Sequence, residues 1–232
     1  MPNVFSPTTR LGARGLLAAA SLTLVAIPFS LTLLLVEDRW EPLLRADIGA
    51  RDRLHGYAVA HAGFVNVMQL ISSSGSALAW VLVLTAVVCW LVWRRLPRLA
   101  LFVAVTASGS SFLNAVVKMA VHRPRPVFVD PVAQEPGLSF PSGHAQAAVV
   151  GYALLLLVFL PWLHGSWRQA TVAVAAVMVL LVGFSRVALG VHYASDVVGG
   201  FILGAAWVIA MAAAFNATPS ARRRPAASEH LL

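Results

Sequence analysis

The sequence predicts an all-α, polytopic membrane protein, six transmembrane helices in one bundle with the functional site at the extracytoplasmic side. Three observations carry this. Hydrophobic residues fill 59% of the 232 positions and charged residues only 11%, whereas a soluble domain holds about 25% charged residues. Mean hydropathy is +0.80. The apolar residues fall in runs close to the ~20 residues that cross a bilayer, and short polar or basic segments separate them.

The first run, residues 16–36, follows Arg10 and Arg14 and exceeds the ~7–15-residue apolar core of a cleavable signal. It is expected to remain as a first span after a cytoplasmic segment, 1–15. Residues 37–53 mix five acids with four arginines around Trp40, and Pro42 and Gly49 are expected to interrupt any long helix. An exposed, surface-lying connector follows from that reading. The second run covers 76–93, with an earlier start near Gly63 as the alternative, and stops at Arg94, Arg95, Pro97 and Arg98. The third, 99–121, carries Lys118 near its far end and leads into a segment, 122–141, rich in proline and polar residues. The fourth run is 145–162, with Trp162, Trp167 and Arg168 marking an interface. The fifth, 170–188, stops at Gly190, a residue suited to a left-handed helix end. The sixth, 195–215, precedes Arg222, Arg223, Arg224 and a polar, cytoplasmic tail, 216–232, with the composition of a disordered segment. Residues 16–215 thus form one membrane domain.

Seventeen basic against nine acidic residues give a formal charge of +8. Their placement excludes a nucleic-acid partner, because they cluster between apolar runs and form no stripe with exposed aromatics. Alternating the runs across a bilayer assigns Arg10, Arg14, Arg94, Arg95, Arg98, Arg168 and Arg222 to Arg224 to one side. Short cytoplasmic segments hold such an excess, so both termini are expected in the cytoplasm and the protein in the cell inner (plasma) membrane. Cys89 lies alone in an apolar run and reads as inert packing. No internal repeat suggests a transporter built from two halves.

Four groups of residues converge at the extracytoplasmic ends of the third to sixth runs. They are Lys118 with Arg125, Pro141 to His144, Ser185 with Arg186, and His192 with Asp196. Ionisable groups at span ends face a protein cavity by default. Three cations on one wall repel unless an anion sits between them, and phosphate suits forked guanidinium donors plus a compact ammonium. Taken singly, each is equally a side chain snorkelling to the interface. Arg123 and Arg125 both precede proline, and on chemistry alone either can be the phosphate ligand. His122 and Arg123 can otherwise contact lipid headgroups.

Ser142 is a natural N-cap, Gly143 permits close approach, and free N–H groups at a helix start bind phosphate oxygens. By itself this is also a plain helix cap. His144 adds an imidazole that can donate a proton to a departing oxygen. His192 and Asp196 stand one helical turn apart, so the carboxylate can fix the tautomer and free the other ring nitrogen to attack phosphorus. The same spacing suits a buried hydrogen bond locking the fifth span to the sixth. Only Asp130, Glu135 and Asp196 supply carboxylates nearby, too few for a metal centre against three or four cations. No metal and no cofactor are expected.

In order, these residues resemble the three-part signature of the type-2 phosphatidic acid phosphatase superfamily, which also contains vanadium haloperoxidases. Lys118, six residues, then Arg125 and Pro126 match the first part; Pro141 to His144 match Pro-Ser-Gly-His; Ser185, Arg186, His192 and Asp196 match the third at its spacing. The resemblance selects Arg125 over Arg123. It implies a nucleophilic His192 forming a phosphohistidine, with Asp196 orienting it and His144 protonating the leaving group and then activating water. Lys118, Arg125, Ser142, Gly143 and Arg186 would bind the phosphoryl oxygens. Membrane members of the family act on lipid phosphates and pyrophosphates, so the implied partners are the bilayer and a membrane lipid phosphate. A polyprenyl pyrophosphate such as undecaprenyl pyrophosphate is the first expectation, with phosphatidylglycerol phosphate and phosphatidic acid as alternatives. A lipid phosphotransferase using the same histidine is a second enzyme reading. A lipid-phosphate binder or transporter, in which His192 only braces helices, is the non-enzymatic one.

Overall fold

The computed structural model describes Thr23 and residues 26–217 of the chain. Every regular element among the described residues is helical. The helices are α1 (Ala26–Glu37), α2 (Glu41–Ala60), α3 (Ala62–Ser74), α4 (Ala77–Trp93), α5 (Pro97–Val121), α6 (Gly143–Phe159), α7 (Gly165–Ala188) and α8 (Ala194–Ala217), with a 3-10 turn at Leu160–Trp162. Five stretches are long and apolar enough to cross a membrane: Ala62–Trp93, Pro97–Val121, Gly143–Trp162, Gly165–Ala188 and Ala194–Phe215. Much of the expected first span, and the terminal segments 1–15 and 218–232, lie outside the described residues. Its described part, α1, is a shorter apolar helix.

Large apolar side chains cover the outside. Leu70, Leu78, Leu82, Trp93, Phe112 and Leu180 are all exposed, as expected where lipid replaces water as solvent. Cys89 lies on the exposed side of α4 and not in the packing assigned to it. Because lipid tails are as apolar as the side chains, close helix contact depends on small residues. The α6–α8 pair shows this directly. A Cβ on Gly200 would stand 2.6 Å from the Ser142 carbonyl oxygen, and one on Gly204 would stand 3.0 Å from the Gln146 carbonyl oxygen. These glycines let α8 reach the start of α6.

The second run takes its alternative, earlier start beside Gly63: α3 precedes α4 and is separated from it only by Gly75 and Ser76, whose side chain caps α4 by accepting from Ala79 N at 3.2 Å. The connector after α1 is exposed along most of residues 37–53, as expected, but it is not interrupted. Residues 41–60 form one 20-residue helix. Pro42 lies in its first turn, where the missing N–H costs nothing, and Gly49 is tolerated within it. Helix α2 packs on α3, α7 and α8, and its Asp47 is buried.

The loop 122–142, the turn 189–193 and α2 gather at one end of the bundle, joined by contacts of Arg123 with Asp47 and of Ser142 N with the Asp196 carbonyl. Arg98 meets the Phe215 carbonyl at the other. Gly200→Ala is expected to push α8 off α6 and destabilise the protein by about 1–3 kcal/mol, the cost of overpacking. Gly56→Ala, with nothing within 4 Å of the added carbon, should leave the melting temperature unchanged or higher. Thermal unfolding of both variants in one detergent checks this, and equal melting temperatures would contradict the packing.

Candidate active site

Helix α7 stops at Ala188, and Gly190, at φ 71°, turns the chain in the left-handed region. His192 therefore sits in the turn before α8, not on a helix as its spacing to Asp196 suggested. Asp196 occupies the first turn of α8 and reaches back to accept from Tyr193 N at 2.8 Å, the reciprocal half of a capping box. That reach brings its Oδ2 to 3.4 Å from His192 Nδ1. His192 is 1% exposed and Asp196 is fully buried.

On the other ring nitrogen, Arg125 Nη1 lies 3.0 Å from His192 Nε2. A guanidinium only donates, so Nε2 carries the lone pair and Nδ1 carries the proton that faces Asp196. Burial pushes the His192 imidazolium down to about 4 from the ordinary 6.5; Asp196 opposes the shift, and the charges of Arg125 and Arg186 add to it. At neutral pH the ring is uncharged and its Nε2 lone pair is turned to Arg125.

The same Arg125 Nη1 donates to the Val191 carbonyl, 2.8 Å away. Arg186, 3% exposed on the last turn of α7, donates to Ser72 Oγ of α3. Both guanidiniums clasp one carboxylate: Glu135 lies 3.3 Å from Arg125 Nη2 and ion-pairs with Arg186 Nη2. Burial would raise the Glu135 carboxyl, but the charge and hydrogen bond of Arg186 overcome it and keep the group ionised. The Nε atoms of Arg125 and Arg186 are buried with no hydrogen-bond partner among the described residues, so each retains a donor for a ligand. Lys118, half-buried, donates to the Leu138 carbonyl and acts electrostatically on Arg125, Asp196, Glu135 and Arg186.

The Pro-Ser-Gly-His segment starts α6. Ser142 caps it by accepting from Ala145 N at 3.5 Å, and its own N–H donates to the Asp196 carbonyl at 2.9 Å. The segment is thereby tied to the turn that holds His192. His144, in the first turn of α6, acts electrostatically on Arg186, Glu135, His192 and Arg125. All eight residues singled out in the sequence thus come to one end of the bundle. Gly143 and His144 also line an apolar groove of about 510 Å³ between α4, α5 and α6, with Trp80, Leu84, Val88 and Val150 on its walls.

The two arginines of the 122–126 segment part company. Arg123 turns inward, pairing with Asp47 at 2.8 Å and Asp196 at 2.6 Å, and its guanidinium lies 4.3 Å from the centre of the Tyr193 ring. It is not a headgroup contact. Burial alone would lower its pKa, but the two carboxylates raise it. Further residues went unassigned in the sequence. Ser139 donates to Asp196 Oδ2, Glu135 holds the guanidiniums, and Asn114 bonds Gln146 at 2.7 Å beside the groove. Asn114 and Gln146 carried a signal, since polar side chains inside apolar runs are costly unless partnered. Asp47 carried none, being one acid among five in a mixed-charge segment.

The model of the PAP2 superfamily matches residues 97–219, more than half of the chain. Phosphatidylglycerophosphatase B of Bacillus subtilis is 44% identical over 95 residues, which cover 40% of this chain and 46% of that protein. Undecaprenyl-diphosphatase of Sulfolobus acidocaldarius is 31% identical over 147 residues, 61% of this chain and 66% of its own length. The matched parts therefore span about half and about two thirds of these relatives. The fold resembles the crystal structure of a transmembrane PAP2-type phosphatidylglycerolphosphate phosphatase from Bacillus subtilis, with a TM-score of 0.73 and 26% identity over 83% of this chain and 94% of that one.

The burial and tautomer of His192 are open to titration. Spectra of the protein with isotope-labelled histidine are expected to show one ring that stays neutral, protonated at Nδ1, until the pH nears 4. Titration of every histidine around 6.5 would contradict this geometry.

Proposed function

Because the chain belongs to the PAP2 superfamily, we propose that this multi-pass membrane protein is a phosphatase that hydrolyses the terminal phosphate of a lipid phosphate or pyrophosphate through a phosphohistidine at His192. The observation that carries this is the state of the His192 ring. Its proton is directed at Asp196 while its lone pair faces a cluster of cations.

In the proposed reaction, the phosphoryl group replaces the Glu135 carboxylate between Arg125 and Arg186. Lys118, Arg125, Arg186, the Ser142 hydroxyl and the backbone N–H of Gly143 hold its oxygens, and the cations neutralise charge as it develops. The Nε2 lone pair forms the nitrogen–phosphorus bond. The phosphorus–oxygen bond to the lipid breaks, and its electron pair leaves on the lipid oxygen, which takes a proton from His144. Asp196 stabilises the imidazolium so formed. In the second half, His144 accepts a proton from water as the water oxygen attacks phosphorus; the nitrogen–phosphorus electrons return to Nε2 and inorganic phosphate departs. No step calls for a metal, since the cations supply the charge that Mg²⁺ supplies elsewhere.

The groove ending at Gly143 and His144 suits the lipid chain. Exposed Val81, Thr85 and Ser111 on its rim open it sideways, so a chain can enter from the bilayer while its phosphate meets the cations. Six spans, cytoplasmic termini and an extracytoplasmic site complete the proposal, supported by the basic segment 94–98 falling at the end opposite the site, where Arg98 meets the Phe215 carbonyl. A polyprenyl pyrophosphate is the first substrate proposed, in keeping with the undecaprenyl-diphosphatase relative. Phosphatidylglycerol phosphate is the second, favoured by the 44% identity to phosphatidylglycerophosphatase B.

Purified protein is expected to release phosphate from at least one of polyprenyl pyrophosphate, phosphatidylglycerol phosphate and phosphatidic acid, with chelator leaving the rate unaltered. His192→Ala should abolish release while lipid binding persists. Unchanged hydrolysis by that variant, or dependence on added Mg²⁺, would contradict the mechanism. Vanadate, which imitates five-coordinate phosphorus, should inhibit competitively. Glu135→Gln, which removes the competing carboxylate charge, is expected to tighten that inhibition several-fold; weaker inhibition would contradict the displacement of Glu135 by the phosphoryl group.

A further inference from the structure

One buried carboxylate has no part in the steps above. Asp47, 1% exposed, belongs to α2, which lies over the ends of α7 and α8 where the site is built. Its Oδ1 accepts from Ser195 N at 2.9 Å. Its Oδ2 accepts from Arg123 Nη2 at 2.8 Å and from Ser195 Oγ. Arg123 in turn donates through Nη1 to Asp196 Oδ1 at 2.6 Å. Four side chains, Asp47, Arg123, Asp196 and His192, thus run in line from a helix outside the signature to the nitrogen that attacks.

The order of charges in that line matters. Arg123 alone beside Asp196 would form a neutral pair and compete with His192 for the carboxylate. With Asp47 on its far side, the guanidinium is shared between two carboxylates, and one net negative charge remains for the imidazole. The geometry is equally selective. Arg123 takes Oδ1 of Asp196, and Oδ2 stays turned to His192 Nδ1. A carboxylate that merely capped α8 would need the Ser195 N–H and no arginine.

We propose that Asp47 is a positioning residue for the reaction proposed above, on which this inference rests: it holds Arg123 against one oxygen of Asp196 and offsets the guanidinium charge, so that the other oxygen is free to stabilise the imidazolium of the phosphohistidine. Asp47 touches neither substrate nor the reacting atoms. Its effect therefore falls on the chemical step and spares substrate binding.

The test compares wild type, His192→Ala, Asp47→Asn, Arg123→Gln and the Asp47→Asn/Arg123→Gln double variant, each reconstituted in lipid and normalised to folded protein. Asp47→Asn is expected to lower kcat about tenfold, within the range shown by neighbours in one hydrogen-bonded network, with KM within about twofold of wild type. The double variant should be no slower than Arg123→Gln alone, because Asp47 acts through Arg123. Unchanged kcat per folded molecule in Asp47→Asn, or losses that multiply in the double variant, would overturn the inference. Should Asp47→Asn not accumulate in the membrane, Arg123→Gln decides. A fall in kcat at constant KM supports positioning, whereas a raised KM at intact kcat, the mark of a substrate ligand, overturns it. A wild-type protein inactive on every lipid phosphate would sink the proposed function itself. An active wild type, an inactive His192→Ala and an unaffected Asp47→Asn would sink only this inference.

Discussion

The site is organised around one fully buried carboxylate. Removing the charge of Asp196 from water is costly unless it is paired and hydrogen-bonded, and the compensating groups come from the loop after α5 and from the turn before α8. Arg123 comes from the loop after α5, Ser139 from the end of that loop, Tyr193 N and His192 from the turn before α8. The Asp196 carbonyl receives Ser142 N, which anchors the start of α6. Satisfying Asp196 therefore assembles three separated sequence segments at one point. The glycines that bring α8 against α6 are the steric condition for that assembly, since a side chain at Gly200 would meet the Ser142 carbonyl.

Around this centre the charges divide into two layers. Arg123 is consumed by Asp47 and Asp196, within the protein. Arg125 and Arg186 instead hold Glu135, an anion of the protein's own, with Lys118 acting on the same carboxylate at longer range. A carboxylate bridging two guanidiniums occupies the kind of position that a phosphoryl group takes between forked donors. The apolar groove then meets this polar end at His144, so one imidazole stands between apolar walls and the cations. That juxtaposition is what the proposed lipid phosphatase needs, and it explains why the site lies at the end of the bundle and not at its middle.

Much of this was legible in the sequence, for identifiable reasons. Apolar runs announce membrane helices because lipid cannot satisfy backbone polar groups, and Lys118, Arg125, His144, Arg186, His192 and Asp196 stand out because ionisable residues at span ends are rare. Spacing also separated Arg125 from Arg123, through the family signature. What stayed hidden depends on contacts distant in sequence. Asp47 precedes Asp196 by about three quarters of the membrane domain, and nothing local distinguishes it from Asp38 or Asp52. Pro42 and Gly49 misled because breaker residues are read by type, whereas a proline in the first helical turn breaks nothing. His192 and Asp196 meet as expected, but through a capping turn and not along one helix face. Part of the first span and most of the tail fall outside the described residues, so their expected placement stands as a proposal.

The central claim concerns which atom becomes bonded to phosphorus. Protein mixed with labelled lipid phosphate, quenched within one turnover into alkali and digested, can be mapped for the modified residue by mass spectrometry. An alkali-stable, acid-labile phosphoryl group on His192, absent from His144 and lost in the His192→Ala variant, is the expected result. Steady hydrolysis with no phosphorylated protein during turnover, or phosphate recovered on another residue, would contradict it.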